Sequence, residues 1–80
     1  MEIRITPEAE ENLARLPKRI AAQIVSKLAR LESGLSGNIK RLQHATAGYR
    51  LRSGDYRILF DIEAGTVIVQ RVKHRKEAYD

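Results

Sequence analysis

The chain has 80 residues, a formal net charge of +5 and a pI near 10, with 42% hydrophobic residues, 31% charged residues and no cysteine. This length allows one domain, residues 1–80, and leaves no room for a second. The lack of cysteine excludes disulfides and thiolate metal sites, and no apolar run approaches the ~20 residues of a membrane span. We expect a cytoplasmic protein, since residues 1–4 also lack the apolar stretch of a signal peptide.

The first residues predict a strand followed by a helix. Ile3 and Ile5 alternate with polar residues, which is typical of a short strand. Thr6-Pro7 then supplies an N-cap followed by proline at the first helical position. The apolar stripe of this helix is expected at Ala9, Leu13 and Leu16.

A second helix is predicted over residues 18–32. Pro17 ends the first helix and can open the next, and Ser33-Gly34 provides the stop. Because only a proline separates the two helices, we expect an antiparallel hairpin. Its buried stripe is expected to comprise Ile20, Ile24, Leu28 and Leu31, widened by Ala21 and Val25.

The second half of the chain predicts three further strands. Apolar and basic residues alternate over 49–52, and a second alternation over 56–62 places Arg57 opposite Ile58 and Phe60. Residues 66–73 are rich in Val and Ile without a clean polar face, as in a strand buried on both sides. The other segments are turns at 53–55 and 64–65, an unassigned stretch at 39–48, and an expected exposed tail at 74–80.

The order strand, helix, helix, strand, strand, strand (β-α-α-β-β-β) predicts an α+β fold. We expect a small antiparallel β-sheet with the N-terminal helical hairpin packed on one face and the other face open. Because side chains alternate along a strand, Arg50 and Arg52 share the face opposite Leu51, and Arg57 also faces away from the helices. The sheet should thus gather several guanidinium groups on one solvent-facing surface.

Arginine is the residue type through which this surface can act. Guanidinium groups bind phosphate bidentately, stay charged and can stabilise a pentacoordinate phosphoryl transition state. They can also position an RNA so that its own 2′-hydroxyl attacks the adjacent phosphate, with no need for a metal. His44 and His74 lie far apart, without cysteine or spaced carboxylates around them, so neither a metal nor a cofactor is predicted.

The distribution of charge favours a polyanionic partner. Residues 38–80 carry a net charge of +4, against +1 for residues 1–37. Such a surface attracts nucleic acid through counterion release and long-range steering. Charge alone leaves a second interpretation open, in which these residues serve only solubility.

Two segments carry a more specific pattern. Residues 49–62, YRLRSGDYRILFDI, contain a basic strand, a turn and then Tyr-Arg followed by apolar residues. Residues 67–79, VIVQRVKHRKEAY, contain a Val-rich strand that leads into His-Arg-x-x-x-Tyr. At this spacing and length the chain resembles the RelE-type toxins of the RelE/ParE toxin–antitoxin superfamily. The resemblance covers nearly the whole chain and implies the fold derived above.

The resemblance implies a toxin of a type II toxin–antitoxin system that enters the A site of the 30S ribosomal subunit and cleaves the mRNA codon there. Cleavage by 2′-hydroxyl attack leaves a 2′,3′-cyclic phosphate, so a metal-independent mRNA interferase that inhibits translation is expected. A cognate antitoxin is expected to wrap the toxin, and no membrane partner is expected. Two alternatives stay open: a ParE-like non-enzymatic toxin that binds and inhibits DNA gyrase, and a simple nucleic-acid-binding module or decayed toxin.

The resemblance also implies roles for single residues. Arg57 matches an arginine that stabilises phosphate charge, Arg75 a second transition-state arginine, and Tyr79 a tyrosine that stacks on a base and helps activate the nucleophile. Arg50 lies where the family often has lysine, and Gly48 replaces a second lysine. The expected catalytic set is Arg57, Arg75, Tyr79 and Arg50, and the expected RNA-binding set is Arg52, Lys73, His74, Lys40 and Arg41.

Overall fold

The computed structural model describes residues 1–43 and 47–77, which form two helices, one 3₁₀ turn and five strands. The N-terminal elements are β1 (Glu2–Ile5), α1 (Pro7–Ala14), α2 (Lys18–Arg30) and the 3₁₀ turn (Leu31–Ser33). The later elements are β2 (Ile39–Arg41), β3 (Tyr49–Ser53), β4 (Tyr56–Glu63) and β5 (Thr66–His74). The strands make one sheet in the order β1-β5-β4-β3-β2. No helix within the described residues is long and apolar enough to cross a membrane.

The core lies between one face of this sheet and the helices, which confirms the predicted α+β class. The buried apolar side chains come from both helices, the 3₁₀ turn and strands β3 to β5: Ala9, Ile24, Leu28, Leu31, Leu51, Ile58, Phe60, Val67, Val69 and Val72. Val25 is 47% exposed, so its predicted place in the buried stripe is wrong. It lies about 100° around the helix from Ile24, beyond the narrow stripe that α2 buries.

The sheet is mixed, which corrects the wholly antiparallel prediction. β1 pairs parallel with β5, Ile3 opposite Val67 and Ile5 opposite Val69, whereas the other three pairings are antiparallel. β5 lies inside the sheet, where it needs a partner strand on each edge, and the helical crossover brings β1 beside it in the same direction. β2 has three residues, too few for an alternation to be recognised in the sequence.

Helix α1 covers the edge of β5 beyond the end of β1. Thr6, the predicted N-cap, donates its backbone N–H to the Val69 carbonyl at 3.1 Å and its hydroxyl to the Gln70 carbonyl at 3.1 Å. Further along, Oδ1 of Asn12 accepts the backbone N–H of Val72 at 3.0 Å. These bonds satisfy polar groups of β5 that no strand reaches, and they fix the direction in which β5 ends.

Two tight turns set the registers of the antiparallel strands. Gly54, with φ of 58°, occupies the first central position between β3 and β4, as in a type II′ turn. Ala64 and Gly65, with φ of 48° and 79°, join β4 to β5, as in a type I′ turn. The first of these turns places Arg52 directly opposite Arg57 on the neighbouring strand.

We expect Asn12→Ala to lower the free energy of unfolding by about 1–3 kcal/mol, because the Val72 N–H then loses its acceptor. Urea unfolding followed by circular dichroism measures the change. Glu10→Ala, at an exposed position of the same helix, is the matched control and should change stability by less than about 0.5 kcal/mol. Equal stability of the two variants would contradict the structural role of Asn12.

Candidate functional site

The sheet face opposite the core carries two rows of basic side chains. In one row Arg52, Arg57 and Lys73 lie directly opposite one another on β3, β4 and β5. In the next row Arg50 lies directly opposite Lys40 on β2. Like charges that face each other on neighbouring strands are destabilising, so these rows oppose folding. A bound polyanion would turn this repulsion into attraction.

Arg57 lies at the centre of these charges. Burial lowers the pKa of its guanidinium below the ordinary value of arginine. The charges of Arg52, Arg50 and Arg75 lower this pKa further, and Asp55 acts in the opposite direction. Guanidinium groups from β3, β4 and the turn after β5 therefore lie within electrostatic reach of one another. Each still carries its charge near neutral pH.

The turn between β3 and β4 contacts both Arg57 and Arg75. Nη1 of Arg57 donates to the Gly54 carbonyl at 3.1 Å. The backbone N–H of Arg75 donates to the Asp55 carbonyl at 2.6 Å, and its Nε lies 3.9 Å from Oδ1 of Asp55. Asp55 thus ties the segment after β5 to the turn beside Arg57. The sequence motif assigns no such role to Asp55, and the signal available for it is an acidic residue directly before the Tyr-Arg step.

The predicted RNA-binding residues divide between the two faces of the sheet. Lys40 and Lys73 share the face of the arginines through their register with Arg50 and Arg57. Arg41 lies opposite Tyr49, whose side chain packs against the core. Arg41 therefore lies on the helix-bearing face and does not join the cluster.

His74 also lies on the helix-bearing face, at the end of β5. Its ring meets that of Tyr56 edge to face, with 5.3 Å between centroids, and its Nδ1 accepts the Lys76 N–H at 3.2 Å. It lines a cleft with Asn12 of α1. Tyr79 lies outside the described residues. Within residues 1–43 and 47–77 no group of three His, Cys, Asp or Glu side chains is placed to hold a metal ion.

Gly48 occupies a position where the resemblance places a lysine. Its N–H donates to Oδ1 of Asp61 at 2.6 Å, and a Cβ built there would lie 3.0 Å from the same oxygen. Oδ2 of Asp61 accepts from Nε2 of Gln70 at 3.2 Å. A side chain at residue 48 would therefore have to displace a carboxylate that is held from two sides.

Comparison with known proteins identifies the class that this fold and cationic face define. The model of the family described as "ParE toxin of type II toxin-antitoxin system, parDE" matches residues 3–79. The class is that of the RelE/ParE toxins, as the two sequence motifs predict. The chain belongs to the ParE toxin family of type II toxin–antitoxin systems.

Individual relatives agree with this assignment. Toxin RelE3 of Methanocaldococcus jannaschii is 42% identical over 43 residues, which are 54% of this chain and 49% of that protein. The chain therefore spans about half the length of this curated relative. A chain of the toxin–antitoxin complex RelBE2 from Mycobacterium tuberculosis is 35% identical with a TM-score of 0.80, covering 92% of this chain and 96% of that one. A chain of the RelB–RelE antitoxin–toxin complex from Methanococcus jannaschii is 26% identical with a TM-score of 0.78, covering 92% of both.

Because the guanidinium groups repel one another, we expect Arg52→Gln to raise the melting temperature at low ionic strength. The expected gain is about 2–6 °C, and it should fade near 1 M NaCl, where screening acts over about 3 Å. Differential scanning calorimetry measures the shift. Arg4→Gln removes the same charge from an exposed position on β1, at the far edge of the sheet, and should gain less. An equal gain in both variants would show that the charges are not crowded.

Proposed function

We propose that this toxin is an endoribonuclease that cuts mRNA in the A site of the 30S ribosomal subunit and so inhibits translation. The observation that carries the proposal is the crowding of four arginines, Arg50, Arg52, Arg57 and Arg75. The charges of the other three lower the pKa of Arg57. Charges that repel one another in the free protein are complementary to a phosphodiester backbone. The match to the RelE-type motifs and the likeness to Toxin RelE3 support the same activity.

The proposed reaction is an internal transesterification. The 2′-oxygen of one nucleotide attacks the adjacent phosphorus, and the P–O5′ bond breaks as the new 2′-O–P bond forms. The 2′-hydroxyl proton leaves to a base, the 5′-oxygen takes up a proton, and the products are a 2′,3′-cyclic phosphate and a 5′-hydroxyl. The pentacoordinate transition state carries more negative charge than the ground state, so nearby guanidinium groups bind it more tightly and lower the barrier.

The arginines divide the proposed work. Arg57, anchored on the Gly54 carbonyl, and Arg75, anchored on Asp55, stabilise charge at the phosphorus. Arg50 binds phosphate where the family often has lysine. Following the resemblance, Tyr79 stacks on a substrate base and helps activate the nucleophile. The other proposed RNA contacts come from Arg52, Lys73 and Lys40, which share the face of these arginines, whereas His74 and Arg41 lie on the helix-bearing face.

The ribosome supplies what this small open site lacks. An open sheet face has few groups with which to hold a nucleotide in the geometry of in-line attack. Because positioning accounts for a large share of catalysis, the codon must be held by the ribosome. We therefore expect free RNA to be cut far more slowly than ribosome-bound mRNA.

A cognate antitoxin is the proposed protein partner. The support comes from the structures of RelBE2 and RelB–RelE, both of which are toxin–antitoxin complexes. An acidic or amphipathic segment that covers the cationic face would relieve its repulsion and exclude RNA at the same time.

The family model favours a second candidate function, since it describes the ParE toxins of parDE systems. On this alternative the protein binds DNA gyrase and inhibits it without cutting RNA. The cationic face would then serve in binding alone, and the anchored geometry of Arg57 and Arg75 would have no catalytic purpose.

We expect Arg57→Ala and Arg75→Ala each to lower the cleavage rate by about 100-fold or more, as for the loss of a donor that stabilises transition-state charge. Both variants should relieve growth arrest on induction. Primer extension on total mRNA is expected to show codon-periodic cuts for the unmodified toxin and for the control Arg4→Ala only. Circular dichroism checks that each variant folds.

The same experiment separates the alternatives. Retained toxicity of both arginine variants would count against the nuclease. Induction of the SOS response without cuts in mRNA would support gyrase inhibition. Harmless overexpression with no fall in translation would contradict both toxin activities.

A further inference from the structure

A second basic surface runs along α2, outside the cluster described above. Arg19 and Arg30 are exposed on the side of the helix away from the buried Ile24 and Leu28, and the half-buried Lys27 lies between that side and the buried stripe. The sequence of α2, KRIAAQIVSKLAR, contains no acidic residue. Within the described part of the chain, none of these three cations takes part in an ion pair.

These cations line two neighbouring hollows. One hollow lies between Lys27, Arg30, Asn38 and Arg52, and a second lies between Lys27, Arg30, Arg19 and Gly54. The two hollows share Lys27 and Arg30 as lining residues and lie side by side between α2 and the end of β3; together they are here called the α2 groove. Arg19 and Arg30 are eleven residues apart, so the groove extends over roughly 16 Å along the helix.

The α2 groove reaches the arginine cluster at two points. Arg52 lines the groove, and its charge is the largest electrostatic influence on the pKa of Arg57 after burial. Gly54 also lines the groove, and its carbonyl accepts the hydrogen bond from Arg57. The groove and the arginine cluster therefore adjoin at Arg52 and Gly54.

The lining favours nucleic acid over protein. The large apolar side chains that are exposed in the described residues are Met1, Val25 and Leu35, and none of them lines the groove. Leu51 does line it but is only 1% exposed. A docking helix inserts large apolar anchors between apolar side chains, whereas the residues that line the groove are mostly charged or polar. A sugar–phosphate backbone needs cations separated by small polar groups, which the groove offers.

We propose that the α2 groove binds the sugar–phosphate backbone of RNA next to the phosphodiester held by the arginine cluster. This proposal rests on the proposed function for the identity of that RNA. The bound segment is the mRNA that flanks the codon, because the groove adjoins the cluster that holds the scissile phosphodiester. The groove gives the toxin affinity for its target without taking part in bond cleavage.

The test compares two double variants that remove equal charge. Lys27→Gln/Arg30→Gln neutralises the groove, and Arg4→Gln/Lys18→Gln removes two exposed cations outside it. Fluorescence anisotropy measures binding at several salt concentrations. One probe is a 2′-O-methyl RNA oligonucleotide, which cannot be cleaved, and the other is the 30S subunit without mRNA.

The groove variant is expected to bind about tenfold more weakly near 0.1 M salt. The slope of log K against log salt should fall by about 1.4, from roughly 0.7 for each lost phosphate contact on a single strand. The control should bind like the unmodified protein within about twofold. Weaker binding of the groove variant to the oligonucleotide is the expected result. A loss with the 30S subunit alone would make ribosomal RNA the occupant and overturn the assignment to flanking mRNA. Equal binding of both double variants to both probes would overturn the proposal.

The outcome is independent of the proposed cleavage. If Arg57→Ala stays toxic while the groove variant loses RNA affinity, the cleavage proposal fails and the groove proposal stands. If cutting depends on Arg57 but the groove variant binds both probes like the control, the reverse holds. Arg30→Gln alone, at an exposed position, gives half the change in slope should the double variant fail to fold.

Discussion

Repulsion among guanidinium groups on an open sheet face is the interaction around which this molecule is arranged. Arg52, Arg57 and Lys73 lie opposite one another, while Ile58 and Val72, at the next positions of the same strands, are buried in the core. Because side chains alternate between the two faces, the strand register that buries the apolar residues also brings the cations together on the other face. A register slip of one residue would bury cations and expose the core, so the two faces determine each other. The apolar face offsets a repulsion that Asp55 relieves only in part.

Arg71, unlike Arg57, is paired with a carboxylate. Arg71 is on β5, opposite Leu59 of β4. Its Nε lies 2.7 Å from Oε2 of Glu8 on α1. The cation nearest the helix thus has a carboxylate partner. Arg57 instead donates to the carbonyls of Gly54 and Tyr56, which orient the guanidinium without cancelling its charge. Orientation without neutralisation is what a phosphate-binding group requires.

Local sequence patterns predicted where helices and strands form better than they predicted which strands pair with each other. Thr6-Pro7 caps α1 as predicted, because the capping bond joins residues three positions apart. The parallel pairing of β1 with β5 depends on a contact between residues more than 60 positions apart, and alternation reports which face is buried but not which strand lies beside it. The same limit explains Val25, since the width of the buried stripe depends on how closely α2 approaches the sheet.

The candidate site was predicted only in part, because some of its contacts join residues that are distant in the sequence. Alternation placed Arg57 on the open face, whereas the nearness of Arg75 depends on the bond from its N–H to the Asp55 carbonyl, which no local pattern contains. Adjacent basic residues cannot all face one way. Arg41 follows Lys40 and His74 follows Lys73, so the second member of each pair lies on the helix-bearing face. A count of basic residues does not distinguish the two members of each pair, whereas the alternation of the strand places them on opposite faces.

Gly48 leaves the proposed site without the second lysine that the family resemblance implies. Its N–H binds Oδ1 of Asp61, and a Cβ there would lie 3.0 Å from the same oxygen, so the lysine that the family resemblance would place there requires Asp61 to shift by a few tenths of an ångström. Arg50 restores the charge of a lysine but not its ability to give up a proton, because a guanidinium stays protonated throughout the useful pH range. On the proposed mechanism the 5′-oxygen must therefore draw its proton from another group. The rate enhancement then depends mainly on charge at the phosphorus and on alignment of the RNA. On the proposed function, such a toxin gains most from a ribosome that already holds the codon aligned for attack.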